Sequence, residues 1–269
     1  MDLPELEPYR VMKRSYDQHE KGLFIAEGEK VVAQLLGSSY RLINAMMPMK
    51  YFERLKPLLE ARSEDFDIFI ADKELLKELT GYKYYQGVLA VGRIPHRMTL
   101  EEAYEMSSAP RFFMAIDELA NPENVGGIIR TAAAFGVQTI LVGSYCCSPW
   151  LRRSIRSSVG NIFNLNVVDE LPIKGAFRWL RERGMEVIAA HPHAENKVLG
   201  AYPWTRGDLC ITVGNEGQGI PADVLAECSD CVAIPMSNRV DSLNVACAAA
   251  TFVYDAWRVR TFPGMNAAK

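Results

Sequence analysis

Apolar segments of the length of single strands alternate along the chain with segments that have the periodicity of helices. This alternation constrains the fold most, because strands separated by helices form a sheet that the helices cover. The segments RFFMAIDEL (111–119) and TILVG (139–143) are apolar almost throughout, as are strands of a parallel sheet buried on both faces. The sequence therefore predicts an α/β fold with a parallel sheet.

A polar segment divides the chain of 269 residues into two parts. This segment, PHRMTLEEAYEMSSAP (95–110), contains two prolines and no strand pattern, so we assign residues 98–111 to a linker with about one helical turn. Residues 1–97 are predicted to form a smaller N-terminal α/β domain, and residues 112–269 a larger one. Two domains suit a chain of this length.

Within the larger part, three details of local structure are also predicted. Asn124 and Ser242 are each expected to be the N-cap of the helix that follows, since both residue types accept a hydrogen bond from the first helical turn. The segment NIFNLNVV (161–168) is expected to be a strand.

The charge balance excludes a strongly basic coat protein for nucleic acid, because 30 basic and 33 acidic side chains leave a net charge of −3. No segment reaches the roughly 18 apolar residues of a membrane span, and the acidic start MDLPELEPYR is unlike a secretory or transit peptide. Of six cysteines, only Cys228 and Cys231 have zinc-type spacing, and no second pair matches them. We expect a cytoplasmic protein without a metal site.

The segment NPENVGGIIRTA (121–132) places two adjacent glycines near the start of a helix, where each costs about 1 kcal/mol relative to alanine. Gly126 and Arg130 lie on one face, since they are four residues apart. An arginine behind such a glycine shelf can reach a helix N-terminus, which favours anions. The alternative is a helix packed closely on the sheet with an exposed arginine.

Two further segments are unusual for simple packing. VGNEGQGIP (213–221) has three glycines between a strand and a helix, at the sheet edge where α/β proteins bind ligands. Its order is not the GxGxxG of dinucleotide-binding folds, and a solvated tight turn is the alternative. IPMSNRVDSLNVA (234–246) precedes a helix that is small and apolar nearly all round, which indicates burial or an interface.

Together, over roughly residues 112–260, these segments resemble the SpoU (TrmH-like) family of RNA ribose 2′-O-methyltransferases in the SPOUT superfamily. The family's patterns Asn-x-Gly-x-x-x-Arg, Gly-Asn-Glu-Gly-x-Gly and Pro-Met…Ser-Leu-Asn-Val stand here in order. The N-terminal part is similar to the family's optional substrate-binding domain. That similarity rests on FIAEG at 24–28 and on QGV at 86–88.

The resemblance implies a trefoil-knotted catalytic domain that binds S-adenosylmethionine, an exception to the rule that chains do not thread loops. It also implies a homodimer. The implied cofactor-binding residues come from the second and third segments: Gly214, Asn215, Gly217, Gly219, Ile234, Met236 and Leu243. The last helix, rich in small residues, suits close packing of two subunits or packing within the chain.

The resemblance further implies roles in catalysis. Arg130 is the implied catalytic arginine, which we interpret as a clamp for the oxyanion and phosphate, because an arginine is a poor base. Glu216 is expected to be held by Asn124 and to orient the site. Ser242 and Asn244 are expected to hydrogen-bond the ribose or the cofactor. The proton acceptor stays open.

An RNA substrate also needs a binding surface. Between Arg130 and Asp169 the only charged residues are Arg152, Arg153 and Arg156, which we predict to contact phosphate. The alternative is a solvated arginine face. Tyr82, Tyr84 and Tyr85 are candidates for stacking on unpaired bases or for packing at a domain edge.

Ribosomal RNA is the expected substrate, since family members with the extra N-terminal domain act more often on it than on transfer RNA. A non-catalytic RNA-binding or ribosome-assembly protein on the same scaffold is the second hypothesis. The glycine-rich turn and Arg130 argue against it. A nucleotide-dependent oxidoreductase is the third hypothesis, but this sequence lacks the GxGxxG motif that such an enzyme needs.

Overall fold

The computed structural model describes residues 3–12, 15–81, 87–192, 194, 197–237 and 242–262. Two compact units form: Met1–His96 with Pro149–Asn164, and Arg97–Ser148 with Leu165–Lys269. Tyr82, Tyr84 and Tyr85 lie outside the described residues.

Ten strands are found in the described residues. In chain order they are β1 (Leu23–Glu27), β2 (Leu42–Met47), β3 (Asp67–Ile70), β4 (Leu89–Arg93), β5 (Phe112–Ile116), β6 (Thr139–Gly143), β7 (Asn166–Leu171), β8 (Glu186–Ala190), β9 (Leu209–Val213) and β10 (Asp230–Val232).

The same residues form eleven α-helices. In chain order they are α1 (Glu7–Arg10), α2 (Ser15–Glu20), α3 (Glu29–Leu36), α4 (Met49–Glu60), α5 (Lys73–Thr80), α6 (Leu100–Met106), α7 (Pro122–Ala134), α8 (Arg152–Ser157), α9 (Ile173–Glu182), α10 (Ala222–Leu225) and α11 (Val245–Thr261). The predicted linker, residues 98–111, therefore contains the helix α6, which begins with a capping box of Thr99 and Glu102.

The first unit is built on a four-stranded sheet of order β1-β4-β2-β3. Strand β4 is antiparallel to both of its neighbours, whereas β2 and β3 are parallel. The segment Pro149–Asn164 belongs to this unit. Its residues Trp150 and Phe163 pack with Phe24 and Tyr40 in an aromatic cluster with ring centroids 5.3 to 6.4 Å apart.

The strand predicted over residues 161–168 is wrong in its first half. Residues Asn161–Asn164 form a 3-10 helix, and the strand begins only at Asn166. The chain turns just before this point, where Val159 and Gly160 both have left-handed φ angles of 54° and 78°. An extended strand cannot continue through such a turn. The apolar side chains of Ile162 and Phe163 are nevertheless buried, as part of the 3-10 helix.

A buried arginine holds together the segment between α3 and β2. The guanidinium of Arg62 donates hydrogen bonds to the backbone carbonyls of Leu35, Leu36, Ser38 and Tyr40 at 2.6 to 3.2 Å. It also forms an ion pair with Glu64. The hydrogen bond from Arg62 lowers the pKa of Glu64 to about 2, from an ordinary value of 4.5.

Replacing Glu64 with glutamine is expected to destabilise the protein by about 1–2 kcal/mol at neutral pH, because Arg62 loses its charged acceptor. A carboxylate with a lowered pKa stabilises the fold above its ordinary pKa and stops doing so as the pH falls through the lowered value. The difference between wild type and Glu64→Gln should therefore shrink between pH 4.5 and about 2. Urea unfolding across this range measures it. Glu60→Gln, which removes an exposed pair with Lys56, is the control expected to change little.

The second unit is built on a six-stranded sheet of order β10-β8-β9-β5-β6-β7, in which all pairs are parallel. Every residue of the central strands β5, β6 and β9 is buried, so helices or loops cover both of their faces. The predicted α/β fold with a parallel sheet is confirmed. No helix in the described residues is both long enough and apolar enough to cross a membrane.

Candidate active site

A cavity of about 340 Å³ opens where the neighbouring strands β8, β9 and β10 end. This is the carboxyl edge of the parallel sheet, where ligands bind in open α/β folds. The cavity contains nine residues predicted for the site: Gly214, Asn215, Glu216, Gly217, Gly219, Ile234, Met236, Ser242 and Leu243. The structure thus brings together the second and third sequence motifs, which are about 20 residues apart in the chain.

The glycine-rich turn is closed by its own backbone. Asn215 and Gly219 exchange two backbone hydrogen bonds at 3.0 and 2.9 Å. The side-chain oxygen of Asn215 accepts from the amides of Gly217 and Gln218 at 2.8 and 3.0 Å, and its Nδ2 donates to the carbonyl of Glu118 at 3.0 Å. Asn215 therefore shapes the cavity wall from behind.

The first glycine of this turn is required by packing. A Cβ atom at Gly214 would lie 2.6 Å from the carbonyl oxygen of Gly219, a distance that real side chains do not reach. Gly219 itself has a φ of 75°, which favours glycine. The wall of the cavity is consequently bare backbone at both ends of the turn, so a ligand can approach it closely.

Helix α7 begins earlier than predicted. Its N-cap is Asn121, whose side chain accepts from the amide of Glu123 at 2.9 Å, and Pro122 is its first residue. The prediction of Asn124 as the N-cap is wrong, because Asn121 precedes a proline that favours the first helical position. Asn124 lies in the first turn instead, with its side chain available for other contacts.

Asn124 connects the three motifs. Its Nδ2 donates to Oε1 of Glu216 at 2.7 Å, and its Oδ1 accepts from Nδ2 of Asn244 at 3.1 Å. Asn244 in turn caps α11, since its Oδ1 accepts from the amides of Ala246 and Cys247 at 2.9 and 3.3 Å. One hydrogen-bond chain therefore joins α7, the glycine-rich turn and the start of α11.

The prediction of Ser242 as the N-cap of the last helix is also wrong. Asn244 has that position, and α11 starts at Val245. Both residue types cap helices, and the side chain of Asn244 reaches two amides of the first turn. Ser242 lies two residues earlier, exposed, and lines the cavity.

Arg130 is an exposed residue of α7, less than two turns after Asn124. It forms no ion pair with any carboxylate in the part of the chain that the structure describes. The glycine pair before it explains how α7 is positioned. A Cβ at Gly127 would lie 3.3 Å from the Cβ of Ala246, so the glycine lets α7 approach α11 closely.

The three arginines predicted to bind RNA belong to the first unit and have different surroundings. Arg152 is half-buried, with a side chain 13% exposed, and forms an ion pair with Glu27. Arg156 is 63% exposed and also pairs with Glu27, at 2.9 Å. Arg153 is exposed. Glu27 therefore neutralises part of the charge of this arginine cluster, and Arg152 has a structural contact.

Sequence reasoning missed part of the cavity. His191 and Pro192 line it directly after β8, as the glycine-rich turn does after β9. Gln218, Val245 and Phe252 complete its walls. The signal that could have found His191 was its position at the carboxyl end of a predicted strand, the edge where α/β proteins bind ligands.

The chemistry of the walls fits S-adenosylmethionine. Apolar side chains of Ile234, Leu243 and Phe252 suit a flat adenine ring, while the hydroxyl group of Ser242 suits ribose or amino-acid atoms. The volume is in the range of sites for ligands of this size. No cluster of three or more His, Cys, Asp or Glu side chains in the described residues is arranged to hold a metal ion.

Curated relatives match most of the chain. An uncharacterised tRNA/rRNA methyltransferase of Mycobacterium tuberculosis is 28% identical over 96% of this chain and 90% of its own length. The 23S rRNA (guanosine-2′-O-)-methyltransferase RlmB of Acinetobacter baylyi is 26% identical over 77% of this chain and 85% of its own length.

Solved structures share the fold. The SpoU methyltransferase AviRb from Streptomyces viridochromogenes, in complex with its cofactor AdoMet, superposes with a TM-score of 0.82. It is 20% identical, and the match covers 97% of this chain and 99% of that one. The model of the SpoU rRNA Methylase family matches residues 111–254, more than half of this chain. As its motifs predict, the chain therefore belongs to the SpoU rRNA methylase family and is an S-adenosylmethionine-dependent RNA methyltransferase.

Proposed function

We propose that this enzyme methylates the 2′-oxygen of a ribose in ribosomal RNA. The observation that carries the proposal is the hydrogen-bond chain Asn244–Asn124–Glu216, which fixes α7 and its Arg130 against the cofactor cavity. This arrangement can align a hydroxyl group with a methyl donor. Such alignment supplies a large part of the catalytic effect in group transfer.

Ribosomal RNA is favoured over transfer RNA by the similarity to RlmB, which is named as a methyltransferase of guanosine in 23S rRNA. The match to that protein covers 77% of this chain, so it extends beyond residues 112–269 toward the N-terminus. We infer that residues 1–97 form the RNA-binding domain and that residues 112–269 form the catalytic domain, except for Pro149–Asn164, which belongs to the first unit. Transfer RNA is the alternative substrate, since other relatives are named for both RNA classes.

When bound, the cofactor supplies a methyl group that is already activated by attachment to a sulfonium, so the protein does not have to activate the donor. The residues of the chain position the reactants. Arg130 carries a fixed positive charge that stabilises negative charge on the ribose oxygen and holds an adjacent phosphate. Glu216, held by Asn124 at 2.7 Å, orients the turn and the ribose. Ser242 provides a hydroxyl group for the ribose or the cofactor.

A trefoil knot and a homodimer belong to the same proposal. The cavity walls come from four separate stretches of the second unit, around residues 190–192, 213–219, 234–236 and 242–252. Threading of one stretch through another would hold them together, as the family implies. The exposed apolar side chains Leu243, Tyr254 and Phe262 lie on or beside α11 and support a subunit interface there. A cytoplasmic location follows from the substrate.

The surroundings of the arginine cluster predict different effects for its members. Arg153→Ala and Arg156→Ala should each reduce the slope of log affinity against log salt concentration by about 1, because each removes one phosphate contact. Arg152→Ala should instead lower the unfolding temperature, since it leaves Glu27 buried without its closest partner. Filter binding to ribosomal RNA over a salt series measures the slopes. Lys174→Ala is the control, and an unchanged slope in both arginine variants would contradict RNA contact.

One experiment tests the proposed function directly. The protein is incubated with tritiated S-adenosylmethionine and separated ribosomal and transfer RNA. We expect label in ribosomal RNA, in a dinucleotide that resists alkaline hydrolysis because the methylated 2′-oxygen cannot attack the phosphate. Label in transfer RNA alone would overturn the choice of substrate. Cofactor binding without transfer to any RNA would favour the non-catalytic RNA-binding protein.

A further inference from the structure

One aromatic side chain at the catalytic edge of the sheet has no place in the site described so far. Tyr145 follows β6 directly and is 83% exposed. It makes no ring contact and no hydrogen bond with other residues that the structure describes. An aromatic ring held fully in water loses the stabilisation that burial would give, which is unusual for a residue of this size.

The turn that carries Tyr145 is held firmly on both sides. Before it, the backbone amide of Ser144 donates to the carbonyl of Leu171 at 3.1 Å. The hydroxyl group of Ser144 donates to the carbonyl of Glu170 at 3.0 Å. After it, the amide of Cys147 donates to the carbonyl of Leu119 at 2.8 Å. The exposed ring is therefore presented from a fixed backbone.

Backbone strain marks the same place. Glu118 and Glu170 are the residues with left-handed φ angles, 55° and 51°, at the ends of β5 and β7, on either side of β6. Carbonyls of both residues accept hydrogen bonds: that of Glu170 from Ser144, and that of Glu118 from Asn215 of the glycine-rich turn. Strained residues of this kind concentrate at functional sites. Each of the two turns, the glycine-rich turn and the turn of Tyr145, is thus held by a hydrogen bond to the carbonyl of one strained residue.

The position of Tyr145 relative to the cavity follows from the order of the strands. The glycine-rich turn follows β9, helix α7 with Arg130 follows β5, and Tyr145 comes just after β6. In the sheet these three strands are neighbours in the order β9-β5-β6. Two strand spacings place the ends of β9 and β6 about 10 Å apart. A ribose held at the cofactor cavity therefore has Tyr145 on the same edge of the sheet, at about the distance of a neighbouring nucleotide.

We propose that Tyr145 stacks on a nucleobase of the substrate RNA beside the methylated nucleotide. Aromatic side chains bind unpaired bases in this way, and the contact tolerates any base because every base has a flat face. The inference rests on the proposed RNA substrate and adds a binding residue to it. It requires the bases around the target ribose to be unpaired.

The test compares three variants of the full-length protein. Tyr145→Ala should weaken binding of a fluorescein-labelled ten-nucleotide single-stranded RNA of mixed sequence by about tenfold, the effect of one lost base stack. Tyr145→Phe, which keeps the ring, should bind like wild type. Met106→Ala removes an exposed apolar side chain on α6, also in the second unit, and serves as the control, with no change expected.

Two further measurements separate the explanations. The affinity for S-adenosylmethionine by calorimetry should be the same in Tyr145→Ala as in wild type, which shows that the variant is folded. Unchanged RNA affinity in Tyr145→Ala would overturn the stacking role, as would an equal loss in Tyr145→Phe. A change in molecular mass with unchanged RNA affinity would also overturn it in favour of a subunit contact. Failure of the wild type to methylate any RNA would instead count against the proposed function.

Discussion

Arg130→Ala is expected to lower the rate of methyl transfer to RNA by about a thousandfold, the usual effect of removing one charge-stabilising group from an active site. The same variant should bind S-adenosylmethionine about as well as wild type. Arg130 lies on the exposed face of α7 and is not part of the cavity wall, which explains why the two effects should separate. Single-turnover transfer of tritiated methyl and calorimetry with the cofactor measure them.

Two comparisons make this result specific. Arg130→Lys keeps the charge but loses the planar, two-pronged donor, so it should recover only part of the activity. Arg178→Ala removes another exposed arginine, which lies on helix α9 and pairs with Glu227, and should leave the rate unchanged. Equal losses of cofactor binding and methyl transfer in Arg130→Ala would mean that Arg130 has a structural role.

The fold and the central part of the site could be predicted from the sequence because both depend on local patterns. Buried strands such as β5 are apolar throughout, and helical segments separate the strands. The glycine-rich turn after β9 has a steric requirement that is visible in the sequence, since Gly214 cannot carry a side chain. Each of these features is determined by residues that are close together in the sequence.

The features that could not be predicted depend on competition or on distant contacts. Asn121 and Asn124 are both good caps, and only the proline between them decides in favour of Asn121. Arg152 was predicted to bind RNA with its neighbours, because nothing in the local sequence shows that Glu27, 125 residues earlier, pairs with it. His191 enters the cavity only because β8 lies beside β9 in the folded sheet.

Asn124→Asp is expected to have an effect nearly as large as the loss of Arg130. Asn124 donates to Glu216 at 2.7 Å, and aspartate would place a second carboxylate at that distance with no proton to share. Repulsion should push Glu216 and the glycine-rich turn away from α7. We expect cofactor affinity to fall about tenfold and methyl transfer about a hundredfold, from the loss of a charge-assisted hydrogen bond and of alignment.

The double variant Asn124→Asp, Glu216→Gln separates the two roles open to Glu216. A glutamine at position 216 can donate to an aspartate at 124, which reverses the direction of the hydrogen bond, and the aspartate still accepts from Asn244. If Glu216 only orients the turn, the double variant should recover both cofactor affinity and methyl transfer. If Glu216 also takes the proton of the ribose hydroxyl, cofactor affinity should return while the rate stays low. Failure to recover either quantity would show that this hydrogen bond does not organise the site.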